Sequence, residues 1–178
     1  MENMTESNPK TYRFYVVSPT KFLILYLGTL GLYGSYWFYK HYSLYLESSD
    51  EEITPILGKI MSVMIGAVIS ILFVHLIFKL FEKQAKNIGE YTNSLSIFAT
   101  IYVIFFITAK AGDHFIKDYS SSALLLSLFI TGWSLYNAQK VANIACEDIE
   151  GTTNNKLTSL NYGWLILGGV LWFSFLCL

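Results

Sequence analysis

The sequence predicts an all-α fold, a polytopic membrane helix bundle with five transmembrane helices, or four if the first segment re-enters. Three observations predict it. Of the 178 residues, 53% are hydrophobic and 14% charged, against about 25% charged in an ordinary globular domain. Five windows carry no Asp, Glu, Lys or Arg: 22–39, 60–78, 91–109, 119–139 and 157–178, with lengths of 18, 19, 19, 21 and 22 residues. A helix needs about 20 apolar residues to cross a hydrocarbon layer of roughly 30 Å. Finally, SVMIGAVISILFVHLIF and IFATIYVIFFITA are apolar nearly all round, without the polar stripe of a helix that half faces water.

The segments follow in order. The first twenty residues open with acids, contain a proline and lack a small-residue cleavage site, so they do not read as a secretory signal. Ser18 before Pro19 supplies an N-cap and an N1 residue, which starts a helix over 20–39. Gly28, Gly31 and Gly34 give that helix a small-residue packing face, for which Gly168 and Gly169 in the last segment are the matching surface. Tyr36, Trp37, Phe38 and Tyr39, followed by Lys40, read as anchors at a membrane–water interface, where amphipathic rings collect. Thr54 before Pro55 starts the second helix, 56–78, with Lys59 able to snorkel and His75 close to the interface. The third and fourth helices run over 93–110 and 121–139, the latter ending with Asn137 and Gln139 read as interfacial. The fifth covers 160–178, with Asn161 at its mouth as a cap or an interhelical hydrogen-bonding group. No connection is long enough for a further domain, so 1–178 reads as a single integral membrane domain.

Lysine and arginine counts orient this arrangement. Lys10, Arg13, Lys21, Lys79, Lys83, Lys86, Lys140 and Lys156 fall on one side, and Lys40, Lys59, Lys110 and Lys117 on the other. The positive-inside rule then places the amino terminus in the cytoplasm.

Residues 12–42 contain Ser18 and Lys21, then Thr29, Leu30, Gly31, Leu32 and Tyr33, then Tyr36, Trp37, Phe38, Tyr39 and Lys40. In this pattern the segment resembles a family of bacterial multi-pass membrane proteins related to DUF4234. SLNYGWLILGGVLW, residues 159–172, looks like the closing segment of its longer members. The resemblance implies a small bacterial inner-membrane protein; it carries over no catalytic residue, because the family defines none.

Chemistry is sparse. A formal net charge of -1 offers no basic field for nucleic acid. No charged side chain sits at the centre of a window, which argues against ion-coupled transport. Asp113 and His114 are an adjacent carboxylate and imidazole that could bind a metal or act as a base, and with His75 and Asn161 they are the polar candidates. There is no H-E-x-x-H, Cys-x-x-Cys, G-x-S-x-G or phosphate loop, so neither metal nor cofactor is expected, and Cys146 and Cys177 suggest no disulfide framework. The sequence thus reads as a non-enzymatic inner-membrane protein, structural or accessory to a partner complex. The alternative is a small transporter, channel or lipid-handling protein. The expected partners are membrane lipids, with a membrane protein or a second copy beside them.

Overall fold

The computed structural model describes residues 12–48, 67–115 and 121–177. They form an extended strap, residues 12–18, and six α-helices: α1 (Pro19–Gly28), α2 (Tyr33–Ser48), α3 (Ala67–Asn87), α4 (Ser96–Phe115), α5 (Ser121–Ala145) and α6 (Ser159–Leu176). α5 is the central element, packed against α1, α3 and α4, while α6 leans on α1.

Local chemistry sets the boundaries. Ser18 is extended, its hydroxyl accepts from the Lys21 amide at 3.3 Å, and Pro19 occupies the first turn, where a missing N–H costs nothing. α1 stops at Thr29. The Thr29 hydroxyl donates to the Leu25 carbonyl at 2.8 Å and accepts from the Tyr33 amide at 3.0 Å, joining the end of α1 to the start of α2. Between them Leu30 and Gly31 take left-handed backbone angles, with φ of 50° and 85°. That costs glycine little, but a β-carbon disfavours it at Leu30. Glu82 on α3 accepts from the Leu95 amide at 2.9 Å and so caps the start of α4, while pairing with Lys86 at 2.6 Å. Thr158 and Asn161 form a reciprocal capping box at the start of α6.

Most of the core is aromatic and aliphatic. Trp37, Phe22, Tyr33, Phe78, Phe81 and Leu135 are completely or almost completely buried. Phe81 meets Phe14 edge-on at a centroid separation of 4.7 Å, and His41 tilts against it at the same distance.

The helices correct the five-crossing expectation. Among the described residues only α6 is long and apolar enough to cross a membrane, by length and composition alone. Window 22–39 is no single rod, because the left-handed turn at Leu30 and Gly31 divides it into α1 and α2. Window 60–78 begins outside the described residues, as do Pro55 and Lys59, and α3 continues through Lys79, Glu82, Lys83 and Lys86. The apolar run of α4 is short, Ser96–Ala109. α5 extends to Ala145 and buries Ser127, Thr131, Ser134, Gln139 and Asn143. The polytopic bundle is therefore overturned. With it go the inner-membrane accessory role, the transporter, channel or lipid-handling alternative, the partnership with membrane lipids or a membrane protein, and the cytoplasmic placement of the amino terminus. All of them rested on those five crossings.

Candidate functional site

Two polar regions lie along α5, and they differ in kind. At its C-terminal half, Gln139 and Asn143 are one turn apart and both fully buried. The Gln139 carbonyl accepts from the Trp37 indole N–H and from His41 Nε2 at 3.2 Å. Its amide donates to the Tyr15 carbonyl at 3.0 Å and to Asn143 Oδ1 at 2.6 Å. Asn143 in turn donates to the Val17 carbonyl at 3.0 Å and accepts from the Val17 amide at 3.4 Å. The Tyr15 amide donates to His41 Nδ1 at 3.3 Å, which assigns the imidazole proton to Nε2, where it faces an acceptor. Burial holds the His41 pKa down to about 3, so the ring stays neutral. Among the described residues no fully buried polar side-chain atom lacks a partner. This network fastens the strap to α2 and α5, and nothing in it is open to a substrate.

The strap is fastened a second time by the loop before α6. Asn154 donates to the Val16 carbonyl at 2.8 Å and accepts from the buried Lys21 ammonium at 2.6 Å. Lys21 also donates to the Lys156 carbonyl at 2.7 Å, and burial lowers its pKa. Asp148 holds the loop in shape by accepting from the amides and hydroxyls of Thr152 and Thr153 at 2.7–3.0 Å. Those hydrogen bonds keep its carboxyl at a pKa of about 2.

The N-terminal half of α5 is different. Here a cavity of about 580 Å³ opens between α5, α4, α3 and the turn joining α1 to α2, with Phe175 of α6 on its border. Phe38, Phe73, Phe105 and Phe106 supply aromatic walls, and Leu124, Leu125 and Leu128 an aliphatic one. No charged side chain lines it among the described residues. Its polar side chains among the described residues bear hydroxyls: Tyr26, Ser35, Tyr102, Ser127 and Thr131. Thr131 donates to the Ser127 carbonyl at 2.6 Å, so the Tyr26 phenol, 2.9 Å away, is the donor of the pair that it forms with Thr131. Burial pushes the Tyr26 pKa up to about 12 and raises that of Tyr102 as well, so both phenols are protonated at neutral pH.

The positions singled out from sequence are scattered. A Cβ on Gly168 would lie 1.9 Å from the Gly28 carbonyl oxygen, so α6 crosses α1 in close contact there. Gly31 forms the left-handed turn, Gly34 lies under the Tyr26 ring, and Gly169 faces open space. Trp37 and Phe38 are buried, Tyr36 and Lys40 are half-buried, and Tyr39 is exposed. The Tyr36 ring packs against Trp164 of α6 at 5.9 Å. His75 meets the Thr100 hydroxyl at 3.2 Å, and Asn161 belongs to the α6 capping box. Asp113 and His114 fall in the last turn of α4, and their side chains lie outside the described residues. Gln139 is fully buried rather than interfacial, and Asn137 donates to the Trp133 carbonyl of its own helix. No group of three or more His, Cys, Asp or Glu gathers to hold a metal among the described residues.

Tyr26, Tyr102, Ser127 and Thr131 were not distinguished at the sequence level. The signal that could have found Ser127 and Thr131 was the spacing of Ser127, Thr131, Ser134 and Ala138, which puts a small and polar stripe along one side of a helix that otherwise looks uniformly apolar; nothing local marks Tyr26 or Tyr102.

No protein family, curated protein or solved structure matches the chain. The resemblance to DUF4234-related proteins is thereby corrected: TLGLY and YWFYK here are the end of α1, a left-handed turn and a helix that buries Trp37 and Phe38, Ser18 and Lys21 cap and fasten α1, and residues 159–172 are part of α6.

Proposed function

We propose that the protein binds an uncharged, mainly apolar small molecule in the cavity beside the N-terminal half of α5. The supporting observation is the cavity itself: about 580 Å³, walled by aromatic and aliphatic side chains, with hydroxyls as its polar groups. That size and lining fit a small-molecule pocket, for which roughly 300–1,000 Å³ with a few placed polar groups is usual. Among the described residues no charge lines the wall, which selects against ions, since an unpaired charge placed there would lose its hydration without compensation. The turn at Leu30 and Gly31 borders the cavity and holds a non-glycine residue at positive φ, a strain of the kind that collects at ligand sites.

The test is calorimetric titration of the full chain with 2-isopropylnaphthalene, a neutral probe of suitable size. Saturable one-to-one binding is expected, lost in Ser127→Phe, whose ring would project into the cavity, with the helical circular-dichroism spectrum unchanged. Binding that survives Ser127→Phe, or a wild-type chain that binds neither this hydrocarbon nor the neutral ketone of the same size, 2-acetylnaphthalene, would remove this reading.

A further inference from the structure

The hydroxyls around the cavity are unequal. Thr131 gives its proton to the Ser127 carbonyl at 2.6 Å, and Tyr26 gives its own to Thr131. The Ser127 and Tyr102 hydroxyls have no hydrogen-bond partner among the described residues, although those residues are only 5% and 8% exposed. Among the described residues no fully buried side-chain oxygen or nitrogen is left unpaired, and both residues line the cavity, so we infer that the two hydroxyls open into it. Two donors with unshared protons thus border an aromatic chamber that no charged side chain lines among the described residues.

We propose that the cavity recognises an uncharged aryl carbonyl compound, its C=O accepting hydrogen bonds from the Tyr102 and Ser127 hydroxyls while its ring lies between the phenylalanine walls. This deepens the ligand-binding reading and rests on it. A carbonyl oxygen offers two lone pairs and has no proton to strand, which complements a pair of donors. A carboxylate would satisfy the same donors but would bring a charge that nothing in the wall balances. A hydrocarbon of the same shape would fill the space and leave both hydroxyls without a partner, and a site built to hydrogen-bond discriminates against such an analogue. Phe38, Phe73 and Phe106 favour a flat conjugated body, which can stack against one ring and meet another edge-on.

Calorimetry of the full chain with three probes tests this: 2-acetylnaphthalene, 2-isopropylnaphthalene and 2-naphthoate. The ketone is expected to bind at least about tenfold more tightly than the hydrocarbon, and the naphthoate more weakly than either. Tyr102→Phe should reduce the ketone's advantage to about threefold or less, by weakening the ketone and by tightening the hydrocarbon, which no longer leaves that hydroxyl without a partner; retained hydrocarbon binding also reports an intact cavity. Ser127→Ala should remove a smaller part of the same advantage. Equal affinity of ketone and hydrocarbon for the wild-type chain would overturn the proposal while leaving the cavity a binding site. An advantage that persists in the Tyr102→Phe, Ser127→Ala double variant would overturn it too. If neither neutral probe binds, the ligand-binding reading itself fails and takes this proposal with it.

Discussion

The two halves of α5 use buried polar groups in opposite ways. Towards Ala145, Gln139 and Asn143 are surrounded by fixed partners: an indole, an imidazole and the backbone of the strap. Towards Ser121, Ser127 and Tyr102 line a cavity, and their hydroxyls have no hydrogen-bond partner among the described residues. A buried polar group with every partner in place specifies one arrangement of the chain, and losing any partner strands the others. A polar group whose partner is absent contributes little to the fold and is free to act on something else. One helix thus carries a region devoted to structure and a region open to binding.

That contrast can be broken most forcefully at Gln139. Gln139→Leu would leave the Trp37 indole N–H and the imidazole N–H of His41 without an acceptor, and the Tyr15 carbonyl without its donor. The expected loss is about 4 kcal/mol, from stranded groups costing about 1–3 kcal/mol each, read as a shift in the denaturant midpoint at unchanged m-value. A loss under about 1 kcal/mol would mean that the network does not hold the strap.

A smaller and more specific effect comes from pH. His41 is neutral when folded, with its pKa lowered to about 3, whereas the unfolded chain takes up a proton near the usual imidazole value of about 6.5. Between these values the unfolded state binds more protons. Stability is therefore complete above about pH 6.5 and falls as the pH drops towards 3, with a limiting slope of about 1.4 kcal/mol per pH unit from this group. Chemical denaturation at a series of pH values should show the decline in the wild-type chain, and His41→Gln should flatten it while lowering stability at neutral pH. An equal pH slope in both proteins would disconnect the imidazole from it.

The smallest effect is expected at the other end of the helix. Tyr102→Phe removes a hydroxyl that has no hydrogen-bond partner among the described residues, so the unliganded protein should change in stability by no more than about 0.5 kcal/mol. A penalty of about 2 kcal/mol, measured by the same denaturation, would show that the Tyr102 hydroxyl holds the fold together in the way Gln139 does, and the contrast would disappear.

The helical character of the chain was legible from its apolar segments, and the start of α1 from Ser18 and Pro19, because both depend on neighbouring residues. The break between α1 and α2 was less visible. Gly31 suits a left-handed turn, but glycine also suits close helix packing, and nothing local discloses that Leu30 joins it at positive φ. The uncharged windows misled for a related reason: counting charge overlooks amides and hydroxyls, and α5 buries Ser127, Thr131, Ser134, Gln139 and Asn143 inside or just beyond a window that contains no ion. Gln139 beside Lys140 looked like the end of a membrane segment, whereas its partners Tyr15 and Trp37 lie more than a hundred positions away in sequence. The cavity was equally hidden, since Tyr26, Tyr102 and Ser127 come from three helices that only tertiary packing brings together.

The strap has a consequence for the order in which the protein matures during synthesis. Val17 exchanges both of its backbone hydrogen bonds with Asn143, 126 positions later, and Val16 waits for Asn154. As the chain leaves the ribosome, Val16 and Val17 are made long before the asparagines that hold their backbone. Contacts this distant in sequence form slowly and leave apolar surface uncovered meanwhile. The strap, met earlier by His41 and Phe81, therefore stays only partly fastened until the close of α5 and the loop beyond it have emerged, and its last hydrogen bonds belong to residues translated just before α6.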